Sequence, residues 1–330
     1  MRIQHVHTAI DAVISANKRG EHLTLFLHSP PGTGKSAIVK AAAERHGLPF
    51  LDIRLSIHEP VDLTGVPMVK DGKTVFCPPG WLPSYEKGQP DGVLFLDEIA
   101  QAMLSMQNVS GQIIYDRCMG DYVLPAGWIV ILASNDLKDR AGTTRTPQQI
   151  NNRCIHIDVE ADYQSWRDWA LDNDLNPQLV AFLDTRPELL CRPSPDARAF
   201  PTPRTWEFAS TIIDEELPRA IQFEMLSGTV GPGPAAELVG FLDVYAGLVS
   251  WRDVLTNPEH APLPDGPANN YALMSVLARR VSMDTIDALV TYLRRISREM
   301  GNLCMSDIAR LHPVLKETRA YTQWSIDNHI

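Results

Sequence analysis

Ser29-Pro30-Pro31-Gly32-Thr33-Gly34-Lys35-Ser36 is the stretch against which every other segment is placed. An apolar run, Leu23 to Leu27, leads into it, and a helix-forming run, Ala37 to Arg45, leaves it. Strand, glycine-bearing turn, lysine, hydroxyl and helix is the order a phosphate-binding loop requires. Gly32 and Gly34 let the backbone turn so that its N–H groups face an anion. The new helix adds unpaired N–H groups and the positive end of its dipole. Lys35 has the reach for β- and γ-phosphates, and Ser36 has a hydroxyl for Mg²⁺. The usual pattern opens with glycine, and here that position is Ser29.

On either side the hydrophobic pattern continues the same theme. Ile3 to Lys18 reads as a helix with Ile10, Val13 and Ile14 on one face. Pro49 to Leu55 is a second apolar strand, and strand–helix–strand at this spacing implies a right-handed crossover and a parallel sheet. Val66 to Val69 and Thr74 to Phe76 flank Lys70-Asp71-Gly72-Lys73, which reads as a β-hairpin inserted before the third strand. Val93 to Leu96 is wholly apolar, as a strand buried on both faces should be. A helix through Ala102, Met103 and Met106 is expected next. Gln112 to Leu124 fits either a second hairpin or a helix and a strand. Trp128 to Ala133 is the fourth strand and Cys154 to Val159 the fifth. From Asp162 onward the pattern is helical: Asp162 to Leu171, Pro177 to Asp184, Pro203 to Glu216, Ala235 to Leu248 and, as the clearest stripe, Met283 to Met300. Arg294, Arg295 and Arg298 would line a solvated face of that last helix. Proline- and glycine-bearing stretches separate these helices. The division expected is an α/β domain over 1–186, with hairpin insertions, and an all-helical domain over 187–330.

Composition narrows the function. The chain has 330 residues, 44% of them apolar, and a net charge of −10. That acidity argues against a broad nucleic-acid footprint. No apolar run approaches the roughly 18 residues of a membrane span, and Met1 to Ile10 has no apolar core of the signal-peptide kind, so a cytoplasmic protein is expected. The five cysteines are scattered, with no CxxC pair, and read as reduced structural thiols. His5, His28 and His58 show no metal spacing; His28 reads as a packing or hydrogen-bonding group before the loop.

Four further positions carry chemistry. Asp97-Glu98 closes the third strand, and open parallel sheets place their ligand sites at such carboxyl ends. Asp97 can hold Mg²⁺ through its water shell, and Glu98 can polarise an attacking water. Asn135, at the end of the fourth strand, is a neutral group that can align that water. Arg153, before the fifth strand, could reach a neighbouring subunit's γ-phosphate, with Arg140 and Arg145 as rivals in the same polar segment. Arg204, beside the helix-starting Pro203, could report nucleotide state to the helical domain.

With these residues placed, the chain resembles the AAA+ ATPases, and within them the MoxR-like branch, over about residues 1 to 215. The resemblance rests on Ser29 to Ser36, Asp62-Leu63-Thr64-Gly65, Leu94 to Ile99, Ala133-Ser134-Asn135, Asn152-Arg153 and Thr202-Pro203-Arg204. It implies an AAA+ P-loop NTPase core with a five-stranded parallel sheet of order 5-1-4-3-2, a C-terminal all-α lid, and a hexameric homo-oligomeric ring with sites between subunits. It also implies hydrolysis of ATP with Mg²⁺, coupled to remodelling of a protein client, often beside a von Willebrand factor A (VWA) partner. Pro31, Gly32, Thr33, Gly34, Lys35 and Ser36 are then the nucleotide-binding residues, Ser36 and Asp97 the metal residues, and Lys35, Asp97, Glu98, Asn135, Arg153 and Arg204 the catalytic set. Two features depart from that branch: the segment after Asn135 lacks its Asn-Pro and Pro-Glu-Ala, and the helical part is long. A nucleic-acid-dependent motor and a nucleotide-gated scaffold are the rival readings, and no base-reading motif separates ATP from GTP.

Overall fold

A computed structural model describes residues 1–135, 145–194, 196–215, 217–245 and 250–328. The chain divides into two compact units: Met1–Asp162 with Pro193–Asp196, and Tyr163–Arg192 with Ala197–Ile330.

The first unit is built in the order α1 (Ile3–Lys18), β1 (Leu25–His28), α2 (Lys35–Arg45), β2 (Phe50–Arg54), α3 (Pro60–Thr64), β3 (Val66–Lys70), β4 (Lys73–Cys77), β5 (Asp91–Asp97), α4 (Leu104–Tyr115), β6 (Cys118–Met119), β7 (Tyr122–Val123), β8 (Gly127–Ser134), α5 (Gln148–Asn151) and β9 (Ile155–Asp158). Five strands form one sheet in the order β2-β5-β8-β1-β9, all parallel. Counted in chain order among themselves, these strands run 5-1-4-3-2 from the β9 edge, as expected. Successive residues alternate between two cores. Leu25, Leu27, Val93, Phe95, Ile129, Ile131 and Ala133 pack on one side with Val6, Ile10, Val13, Ile38 and Val39 of α1 and α2. Phe26, Leu94, Leu96, Val130 and Leu132 pack on the other with Met106, Ile113 and Ile114 of α4. Both faces are covered, which is why the central strands are continuous apolar runs.

Two antiparallel hairpins sit outside this sheet. In β3–β4 the register runs from Val66↔Cys77 to Lys70↔Lys73. The turn residues Asp71 and Gly72 have φ of 52° and 74°, the left-handed pair that a two-residue hairpin turn demands. The open choice over Gln112 to Leu124 resolves as both elements: α4 runs on to Tyr115, and the short β6–β7 hairpin follows.

The second unit is helical throughout its described residues: α6 (Tyr163–Asp172), α7 (Pro177–Thr185), α8 (Pro203–Asp214), α9 (Arg219–Val230), α10 (Pro232–Tyr245), α11 (Trp251–Thr256), α12 (Gly266–Arg280), α13 (Ile286–Leu293), α14 (Arg298–Leu311) and α15 (Arg319–Asn328). The expected division lies at 186/187. By packing, α6 and α7 go with the helices that follow, because Arg167 on α6 grips Asp307 on α14 with two hydrogen bonds of 2.7 and 2.6 Å and both residues are buried.

The single helix expected over Met283 to Met300 is corrected to two. α13 stops at Leu293 and α14 starts at Arg298, capped by Ser297 Oγ, which accepts from Met300 N–H at 3.4 Å. Ile286, Leu289, Val290 and Leu293 are buried and Ile296 and Met300 pack against them, so the apolar stripe crosses the break without showing it. The solvated arginine face is corrected in part. Arg294 is exposed, but Arg295 donates to the Pro258 and Ala261 carbonyls at 2.6 and 2.9 Å and so pins the break to the preceding loop.

Candidate functional site

Three neighbouring strands, β1, β8 and β5, end on one rim of the sheet. Each delivers polar groups there. β1 runs into Ser29 to Gly34. Gly32 and Gly34 have φ of 78° and 88°, left-handed conformations that glycine adopts without strain. Gly34 caps α2, which begins at Lys35. The N–H groups of the first turn of α2 have no partner within the helix and form the anion-binding end of the loop. Pro31 has no N–H and can contribute only shape.

Lys35 folds back over its own loop, 8% exposed. Its Nζ donates to Ser29 O at 3.0 Å, Ser29 Oγ at 2.9 Å and Asn135 Oδ1 at 3.0 Å. Ser36 Oγ donates to Asp97 Oδ2 at 3.3 Å. Lys35-Ser36, Asp97 and Asn135, read from three separate places in the sequence, are therefore joined by direct hydrogen bonds, Lys35 to Asn135 and Ser36 to Asp97. The remaining oxygen of Asp97 accepts from the Glu98 N–H at 2.8 Å. Glu98 itself has φ 59°, a left-handed conformation costing a β-substituted residue on the order of 1–2 kcal/mol. That turn carries its side chain toward β2, where Ser56 Oγ donates to Glu98 Oε2.

Arg153 lies elsewhere. β9 is in register with β1 from Leu25↔Ile155 to His28↔Asp158, so Arg153, ahead of β9, sits at the amino rim, opposite the loop. Its guanidinium lies 4.5 Å from the Tyr115 ring centroid and donates to Gln149 O at 3.3 Å. Arg145 is exposed on the approach to α5. Arg140, and the segment that departs from the MoxR-like pattern, fall outside the described residues. Arg204 is exposed in the first turn of α8, in the second unit. His28 Nε2 pairs with His156 Nδ1 at 2.9 Å with stacked rings, in keeping with a hydrogen-bonding role.

Sequence reasoning missed four contributors. Ser29 and Ser56 hold the lysine and the glutamate. Gln101 accepts from Ser134 Oγ at 3.4 Å, beside Asn135. Asp52 on β2 is exposed, yet its carboxyl is raised above the usual carboxylate range, first by partial desolvation beside the sheet and then by the negative charge of Asp97, with Arg54 pulling the other way. The only signal for these was a polar residue interrupting or ending an apolar strand.

Among the described residues no three His, Cys, Asp or Glu side chains cluster as a metal site. Ser36 and Asp97 nonetheless fit Mg²⁺, which favours hard oxygen donors, takes few from the protein and completes its shell with water and phosphate.

Such a rim, on a sheet of this order, defines a phosphate-binding-loop core of the AAA+ class. Residues 25–141 match the family described as ATPase family associated with various cellular activities (AAA), so the chain carries an AAA ATPase family domain. No curated protein matches the sequence. Among solved structures, the chain is similar to NtrX from Brucella abortus in complex with ATP, at 13% identity over 98% of this chain and 68% of that one, with a TM-score of 0.39. The ADP complex of the same protein gives 14% identity over 99% and 68%, with a TM-score of 0.35. A RuvB variant from Thermotoga maritima gives 12% identity over 98% and 88%, with a TM-score of 0.36. At these scores nothing about this chain's activity follows from them.

Proposed function

We propose that this protein is a Mg·ATP-hydrolysing AAA+ ring ATPase of the MoxR-like kind, which spends hydrolysis on remodelling a protein client. The observation that carries the reading is the hydrogen-bonded set Lys35–Asn135 and Ser36–Asp97 at the carboxyl ends of three adjacent strands. The AAA family match supports it.

Pro31 to Ser36 wrap the phosphates, the loop N–H groups and Lys35 supplying positive charge. Ser36 and Asp97 would hold Mg²⁺, which would supply positive charge against that developing on the phosphate. Glu98 accepts the proton of the attacking water. Asn135 aligns that water. Arg153 cannot serve its own site, because a full strand length separates the two rims. It completes the site of the next copy, which makes the ring part of the mechanism. Arg204 couples the helical unit, which acts as the lid.

The exposed hairpin β3–β4 is the part that grips a client. Val66, Met68, Val69 and Phe76 are all substantially exposed on it, an apolar surface with no packing role. A VWA-domain partner, a hexameric state and a cytoplasmic setting complete the proposal. No helix among the described residues is long and apolar enough to cross a membrane.

The test is Glu98→Gln. Nucleotide binding, read by equilibrium titration, is expected to stay near the parental value while turnover falls by about 10²- to 10⁴-fold. Turnover at the parental rate rules out Glu98 as the base. The trapped ring, recovered with its bound proteins, identifies the client.

A further inference from the structure

Ser29 stands where the phosphate-loop pattern has glycine, and it is 1% exposed. Its hydroxyl does what glycine cannot. Lys35 Nζ has three oxygens near 3 Å: Ser29 Oγ at 2.9 Å, Ser29 O at 3.0 Å and Asn135 Oδ1 at 3.0 Å. Those three oxygens can take one ammonium proton each, and the Pro30 carbonyl lies at 3.5 Å. An ammonium only donates, so Ser29 Oγ accepts from Lys35 and sends its own proton onward. It has two places to send it. Thr33 Oγ1 is its hydrogen-bond neighbour, and Pro30 O lies 3.1 Å from Ser29 Oγ and 3.0 Å from Thr33 Oγ1. Either order of the two hydroxyls leaves both satisfied. The lysine is thus held by a buried hydrogen-bond chain, where charge-assisted bonds are strong.

We propose that the Ser29 side chain is a positioning residue that competes with nucleotide phosphate for Lys35 and holds nucleotide affinity down. The inference rests on the nucleotide-site reading above. To donate to a phosphate, Lys35 must release one of its three oxygens. Ser29 O is fixed by the backbone as β1 ends. Asn135 Oδ1 and Ser29 Oγ are exchangeable, and Ser29 Oγ is the one a glycine-opened loop lacks. Without that hydroxyl, one competitor of the phosphate oxygens for Lys35 is gone, and binding has one bond fewer to break.

The experiment is equilibrium binding of Mg·ATP and Mg·ADP to the full chain, the parent beside Ser29→Ala, Ser29→Gly and Ser29→Thr, with melting curves for each. Ser29→Ala and Ser29→Gly are expected to bind both nucleotides about 3- to 10-fold more tightly. In steady state KM for ATP falls by a similar factor, while kcat does not rise. Ser29→Thr keeps the hydroxyl and stays near the parental affinity. A hydroxyl that merely stabilised the loop would give weaker binding on removal. Unchanged or weaker binding in folded Ser29→Ala and Ser29→Gly overturns the inference and leaves the site reading intact, as does tightening in Ser29→Thr. A parent that binds neither nucleotide overturns both.

Discussion

Lys35, Ser36, Asp97 and Asn135 were legible as residues because each ends or follows an apolar strand, and strand ends of a parallel sheet converge. Asp52, Ser56 and Gln101 were not. Their roles come from pairing, as in Arg54↔Asp97, which sets the end of β2 beside the acidic end of β5. Asp52 gives a pH test of that placement. Its carboxyl is raised by partial desolvation and by Asp97, so the folded chain holds this proton more tightly than the unfolded chain does. Stability therefore falls as pH rises from the usual carboxylate range through the raised value. Asp52→Asn should be the more stable protein at neutral pH in the nucleotide-free state. The difference should vanish below the usual carboxylate range. Urea midpoints of parent and variant across pH measure this, and a variant less stable at neutral pH contradicts the placement.

Elements were legible where one signal dominates. Asp71-Gly72 between two apolar runs gave the β3–β4 hairpin, since few residues accept two successive left-handed positions. The end of one helix and the start of another inside Met283 to Met300 were invisible, because the apolar stripe is shared and the break is made by Arg295 reaching a distant loop. α9, α11, α12 and α15 also went unread, their boundaries being set by packing more than by caps. The start of α8 is the converse case. Thr202 Oγ1 accepts from Thr205 N–H at 3.2 Å, and Thr205 Oγ1 accepts from Thr202 N–H at 2.7 Å, a reciprocal cap just where Arg204 emerges. Thr202→Ala should cost about 1 kcal/mol of stability, measured by urea unfolding. If Arg204 is the coupling residue, the same variant lowers kcat more than it raises KM.

For the molecule as a whole, the opposed rims are the feature with the largest consequence. Lys35 and Arg153 belong to one chain but are held at opposite ends of β1 and β9, so the proposed site takes its Arg153 from a second copy. Lys35→Ala and Arg153→Ala should each be nearly inactive, the second by about 10³- to 10⁵-fold. Mixed, they should recover activity, since a Lys35→Ala copy can lend Arg153 to a neighbour that retains Lys35. Mixtures no more active than their components would remove Arg153 from the shared site and leave Arg145 or Arg140 in its place. The sequence by itself determined the phosphate loop, the five strands and their parallel direction, because hydrophobic period, crossover spacing and loop chemistry are local and strong; the strand order was an implication of the resemblance to the AAA+ ATPases. Only the tertiary structure decided which side chains hold Lys35 and Glu98 at rest, which rim Arg153 occupies and where the long apolar stripe breaks. Those follow from strand register and from contacts between residues far apart in the chain, and no local pattern encodes either.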